Sequence, residues 1–295
     1  MATKGLLLAA LLALPAFAQT YSSGQQVWPA FEGWEKNDDG TFNLVFGYMN
    51  DNWQEELNVP VGPDNKFEPG PADQGQPTHF LPRRNRFIFR VKVPKDFGTK
   101  ELVWTLNTQG RTAKAYGSLR QDLLLENVDL MSETGSLGAG ASSPEIRANK
   151  PPVVVLNSPK TLTAKVDQPV ELIATVTDDG IPKPLKITPA MVEQMSKRPP
   201  QRPTVNKING LHLSWFVYRG DGHVVFEPSQ IKVWEDTRAG ANSPWAPIWL
   251  PPPVPADGRY MVKVTFGEPG TYTLCARADD GGLTTDELVT VTVTR

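Results

Sequence analysis

In four short runs of the C-terminal half, apolar residues recur at every second position, and turn residues separate the runs. Alternation of this period puts successive side chains on opposite faces of an extended strand. The rows are Val170, Leu172, Ala174 and Val176; Leu211, Leu213, Trp215 and Val217; Tyr272, Leu274, Ala276 and Ala278; and Val289, Val291 and Val293. Four one-sided rows need a second sheet to cover them, and two facing sheets form a sandwich core. The 24 glycines and 28 prolines punctuate the whole chain, which favours many short strands over helices. Helical signals are confined to Thr188 to Met195, where Thr188 can cap and Pro189 can take the first helical position.

The N-terminal half shows the same alternation less cleanly. Phe42, Leu44 and Phe46, then Phe87, Phe89 and Val91, then Leu102, Trp104 and Leu106 are its candidate rows. Residues 58–84 between them are too rich in Pro and Gly for regular structure. The stretch 132–150 lacks aromatic residues and cannot build a core, so it reads as a linker between a domain at 24–131 and another at 151–295. An all-β chain of two consecutive sandwich domains is therefore expected.

Residues 1–18 have a short charged head at Lys4, an apolar run from Leu6 to Leu14, and small residues at Ala16 and Ala18. That pattern predicts a cleaved secretory signal peptide and an exported protein, periplasmic or extracellular. The run falls far short of the roughly 20 residues that span a bilayer, so no membrane insertion is expected. A formal charge of −2 supplies no field to attract nucleic acid. The single cysteine, Cys275, cannot form an internal disulfide. Alternation places it opposite Tyr272 and Leu274, as a half-buried thiol.

The order Pro151-Pro152, VELIATVTDDGIP (170–182), LHLSWFVYRGDGHVVFEP (211–228), GEPGTYTLCARADDGG (267–282) and ELVTVTVT (287–294) resembles the PKD/REJ-like family of immunoglobulin-fold repeats. The resemblance covers most of 151–295 and departs from the family in insertions near 183–208 and 234–260. It implies immunoglobulin-like sandwiches, and a binding or spacer module in place of chemistry. Residues 58–84 resemble segments of uncharacterised secreted proteins of environmental bacteria, a likeness that implies no activity.

The best chemical cluster is Asp178-Asp179-Gly180 with Asp279-Asp280-Gly281. In an immunoglobulin-like sandwich both triplets end strands at one pole, where four carboxylates could suit Ca²⁺, which takes several oxygens in irregular geometry. Asp-Gly pairs also simply terminate strands. Trp245 and Trp249, on a Pro-rich insertion, could stack on a sugar ring or a partner peptide, or fold down over the sandwich edge. Lys197, Arg198 and Arg202 form a short basic tract that could contact an acidic polymer or be solvated. Asp51, Glu55, Glu56, Asp64 and Glu68 are the carboxylates that a glycoside hydrolase would draw on, though loop carboxylates in a polar segment are far more often solvated surface. His79, His212 and His223 lack metal-ligand spacing, no G-x-S-x-G nucleophile motif occurs, and Gly135 to Gly140 lacks the Lys-Ser/Thr of a phosphate loop. The chain is read as a non-enzymatic binding protein for a protein or glycan partner. A structural spacer and a carbohydrate-active hydrolase are the alternatives.

Overall fold

The computed structural model describes residues 21–133, 143–183, 188–190, 193, 210–230 and 253–295. The expected signal peptide at 1–18, Trp245, Trp249, the basic tract and most of both insertions lie outside these residues. Of the expected helix, Pro189, Ala190 and Glu193 are described, and their backbone is helical.

The N-terminal half contains β1 (Val27–Lys36), β2 (Phe42–Asn50), β3 (Leu57–Asn58), β4 (Asn65–Glu68), β5 (His79–Phe80), β6 (Arg83–Val93), β7 (Leu102–Thr108) and β8 (Arg111–Gly117). One sheet has the order β1-β2-β6 and the facing one β4-β7-β8, while β3 and β5 pair separately. In the lettering of immunoglobulin domains these are the A-B-E and C-F-G sheets. Helices α1 (Asn127–Glu133) and α2 (Pro144–Arg147) follow. The C-terminal half contains β9 (Val153–Leu156), β10 (Thr161–Lys165), β11 (Val170–Thr177), β12 (His212–Arg219), β13 (Val224–Glu227), β14 (Arg259–Phe266), β15 (Gly270–Asp279) and β16 (Thr284–Thr294). Its sheets run β10-β16-β15-β12 and β13-β14-β11-β9, with β10 parallel to β16 and the other pairs antiparallel. This is the immunoglobulin order, A-B-E-D against C-F-G, with the first strand split so that its second piece joins G.

The four C-terminal rows close on one another as alternation predicts, and all of their residues but the partly buried Val170 and Leu211 are buried in one cluster. In the N-terminal half the core is aromatic. Phe46 lies 5.2 Å from the Phe67 ring, 5.5 Å from Phe89 and 6.1 Å from Trp104, in edge-on and stacked arrangements. The Trp104 indole N–H donates to Asn65 Oδ1 at 2.9 Å, and the Asn65 amide donates to the carbonyls of Val59 and Pro77. One buried asparagine thereby ties the Pro/Gly-rich segment to the core, giving backbone carbonyls outside any sheet the partners that burial demands.

The expected row Phe87-Phe89-Val91 is corrected at its first member. Phe89 and Val91 belong to the core cluster and Phe87 does not. Phe87 has φ 52°, and the β2–β6 register shifts beyond Phe46. A bulge of this kind inserts an extra residue and re-aims the side chains before it. The bulge brings the two backbones close at Gly47, where an added Cβ would stand 2.4 Å from the Asn85 carbonyl oxygen and 2.3 Å from Glu32 Oε1, so only glycine fits there.

Candidate functional site

Strand β12 has the alternation of a half-exposed strand, yet every residue from His212 to Tyr218 is buried. Leu213, Trp215 and Val217 face their own sandwich. Phe216, Tyr218 and, on the neighbouring strand, Cys275 join the core of the N-terminal half. The outer face of one sandwich is thus a wall of the other. Cys275 is 2% exposed, where a half-buried thiol was expected, because the N-terminal half covers that face.

Polar contacts fix the docking. The Thr78 amide donates to the Tyr218 carbonyl at 3.1 Å, and the Gly220 amide to Thr78 Oγ1 at 3.2 Å. Tyr218 Oη donates to the Gly75 carbonyl, and burial pushes this phenol well above its ordinary pKa. Arg219 grips Asp73 with both terminal nitrogens, at 2.7 and 3.0 Å, and gives its Nε–H to the Gln76 carbonyl. The hydrogen bond from Arg219 holds the Asp73 carboxyl below its ordinary range. Asn58 Nδ2 donates to Asp221 Oδ1, while Asn58 Oδ1 faces His79 Nδ1 and Glu56 faces His79 Nε2.

Beside this contact a cleft of about 750 Å³ opens between the halves. One wall is β6 with Leu125 and Leu130, and the other is β16 with Leu283 and Cys275. Its charged groups are largely matched: Arg90 holds Glu35 through two bonds of 2.8 Å, and Arg277, 2% exposed, forms a bidentate pair with Asp286.

The carboxylates of the expected calcium site are used locally. Asp280 Oδ1 accepts from the Gly282 and Leu283 amides and Oδ2 from Asn149 Nδ2, and Asp279 accepts from the Gly281 amide. Asp178 accepts from Gly180, and Asp179 from Ile181 and Lys150. Short loops turn their own N–H groups onto these side chains, as Asx turns do. Among the described residues no group of three or more His, Cys, Asp or Glu is placed to hold a metal ion, so the quartet is not gathered into one cage. The acids considered for hydrolysis are also dispersed: Glu55 accepts from the Gly24 amide, Glu56 faces His79, Glu68 pairs with Lys66, and Asp64 accepts from Asn107.

Asp280 is 1% exposed, and burial raises its pKa from 3.8 to about 7, against the pull of the donors that bond it. Its partner Asn149 has a buried Oδ1 with no hydrogen bond, so turning that amide over would let it accept a hydrogen bond from the protonated Asp280 carboxyl. Between pH 4 and 7 the native chain keeps a proton that the unfolded chain has released, so stability falls as pH rises across that window and levels off above it. The expected loss is on the order of 4 kcal/mol across that window. Asp280→Asn should flatten this part of the stability profile in urea titrations at pH 4, 5.5 and 7.5; an unchanged slope would assign the dependence to other groups.

No family model and no curated protein matches the chain. Solved structures with loose similarity include domains 4 and 5 of the S-layer protein SbsC, at 10% identity and TM-score 0.24, covering 67% of this chain and 66% of that one. The Yersinia pseudotuberculosis adhesin InvE has 10% identity and TM-score 0.25, over 93% of this chain and 61% of that one. A chimeric titin Z1Z2 has 13% identity and TM-score 0.23, over 90% and 97%. Similarity at this level assigns neither partner nor activity. Among the described residues no helix is long and apolar enough to cross a membrane.

Proposed function

We propose that this is an exported, non-enzymatic interaction protein whose immunoglobulin-like halves present their loops and the cleft between them to a protein or glycan partner. The observation that carries this reading is the docking of the halves through Arg219, Asp73 and the buried face of β12. A cleft held open by such contacts is preorganised, and a partner entering it does not bear the entropy of ordering two tethered domains. Clefts between domains are also preferred places for ligands. The glycan arm rests on a separate surface, where exposed Trp28 is tied through Nε1 to Asp51, and Arg83 lies 4.4 Å over the Trp53 ring. The exposed Trp28 ring suits stacking on a sugar, with the half-buried Trp53 beside Arg83 on the same surface.

Immobilised protein lacking residues 1–18 should be screened on a glycan array and against exported proteins of its source, beside Trp28→Ala and Asp73→Ala variants. The reading expects a ligand class whose binding drops in one variant and not the other. Retention of no ligand by any of the three proteins would leave the spacer reading in its place.

A further inference from the structure

We propose that the cleft takes an extended segment of a partner polypeptide as an added strand along the N-terminal part of β16. This deepens the interaction-protein reading and rests on it. The direction of the backbone groups carries the inference. The Thr290 amide donates to the Lys160 carbonyl, and the Val166 amide to the Thr294 carbonyl. Even-numbered residues of β16 therefore turn their N–H and C=O groups away from β15, toward the side on which β10 lies. But β10 pairs only with Thr290–Thr294, and the β15–β16 register runs unbroken to Asp279–Thr284. Thr284, Asp286 and Leu288 consequently aim their backbone groups off the sheet, all three line the cleft, and no described residue bonds those groups.

The opposite wall supports the same geometry. The hairpin of β1 and β2 closes with the Asn37 amide on the Thr41 carbonyl, so odd residues of β2 bond β1 and even ones bond β6. Leu44 and Phe46 pair with Val91 and Phe89, which turns the backbone of Arg90, between them, away from its sheet. From Thr284 to Leu288 the free edge is roughly 13 Å long at the usual rise per residue, enough for about five residues of an incoming strand.

The chemistry of the walls defines the occupant. Glu35 and Asp286 are already matched by Arg90 and Arg277, while the half-buried Leu125 and Leu130 and the exposed Leu288 offer apolar contact. Recognition then comes from main-chain hydrogen bonds, with apolar side chains at every second position of the partner against these walls. An uncharged stretch of alternating apolar and small polar residues fits these walls.

The test uses the whole chain lacking residues 1–18 and the synthetic peptide Lys-Lys-Thr-Val-Thr-Val-Thr-Lys-Lys, beside the same peptide N-methylated at both valine amides. Amide exchange by NMR should slow at least about tenfold at Thr284, Asp286 and Leu288 when the first peptide saturates, and the methylated one should bind at least about tenfold more weakly. Leu288→Pro and Thr284→Pro each delete an outward N–H without touching the ladder to β15, and each should abolish the slowing with the fold intact. Unchanged exchange at about 1 mM peptide, equal binding of the methylated form, or slow exchange of these three amides in the free chain overturns the proposal. Slowing that grows with protein concentration alone would assign the edge to a second copy and overturn the partner. A ligand found in the wider screen that binds both proline variants undiminished would sink this site while leaving the interaction reading in place.

Discussion

Asp286→Ala is expected to lower the free energy of unfolding by about 3–5 kcal/mol, as loss of one member of a buried ion pair does. The expectation comes from the asymmetry of the pair. Arg277 is 2% exposed and lies with its guanidinium 5.7 Å from the centre of the Phe216 ring, in the layer between the halves. Asp286 keeps 24% of its side chain exposed, at the mouth of the cleft. Removing the carboxylate takes the bidentate partner from a cation that water cannot reach. Removing the cation leaves a carboxylate that water can partly solvate, so Arg277→Met, which also keeps most of the packing volume, should cost clearly less. Urea unfolding of both variants and the double variant decides the matter. Equal costs, or a cost below about 1 kcal/mol for Asp286→Ala, would mean that the guanidinium is solvated in the native state.

Trp104→Ala should be of similar severity, about 3–5 kcal/mol for loss of a fully buried aromatic side chain. Its ring is stacked on Phe67 at 5.8 Å and meets Phe89 edge-on at 5.1 Å, and its N–H is the donor to Asn65 Oδ1. Alanine would therefore open a void and also leave a buried amide oxygen without its donor. Trp104→Phe keeps most of the packing and loses only the donor, so its cost should be about 1–3 kcal/mol. A phenylalanine variant as unstable as the alanine one would place the larger share of the effect in the Asn65 bridge. The loops that Asn65 ties down, at Val59 and Pro77, should then lose protection together.

The C-terminal sandwich was legible because its inward residues obey a strict period of two, and the register shift on β12 falls after Val217, beyond the end of its row. The N-terminal rows were legible except at Phe87; a lone Gly47 in the sequence does not tell that its missing Cβ is what lets Asn85 and Glu32 approach at a bulge. The docking surface was missed for a physical reason. A strand with two buried faces differs from a half-exposed one only in what its second face carries. That clue was present in Phe216 and Tyr218, two aromatic residues on the nominally outward row of β12. The acidic triplets were legible as residues and left two readings open, a cation site and strand-ending turns, because Asp-Gly composition is the same for both. Arg219 and Asp73 are 146 positions apart, and only the fold brings them together.

The central claim is that the outer face of β12 is packed against the N-terminal half, making one unit of two sandwiches. Its most direct measurement is the exchange rate of the Thr78 amide, which bonds the Tyr218 carbonyl across the contact. Docked halves predict exchange at Thr78 as slow as at the core amide of Leu274, on the scale of global unfolding. Exchange at Thr78 as fast as at exposed loop amides such as Asp38 would show two sandwiches that move independently, and would contradict the claim.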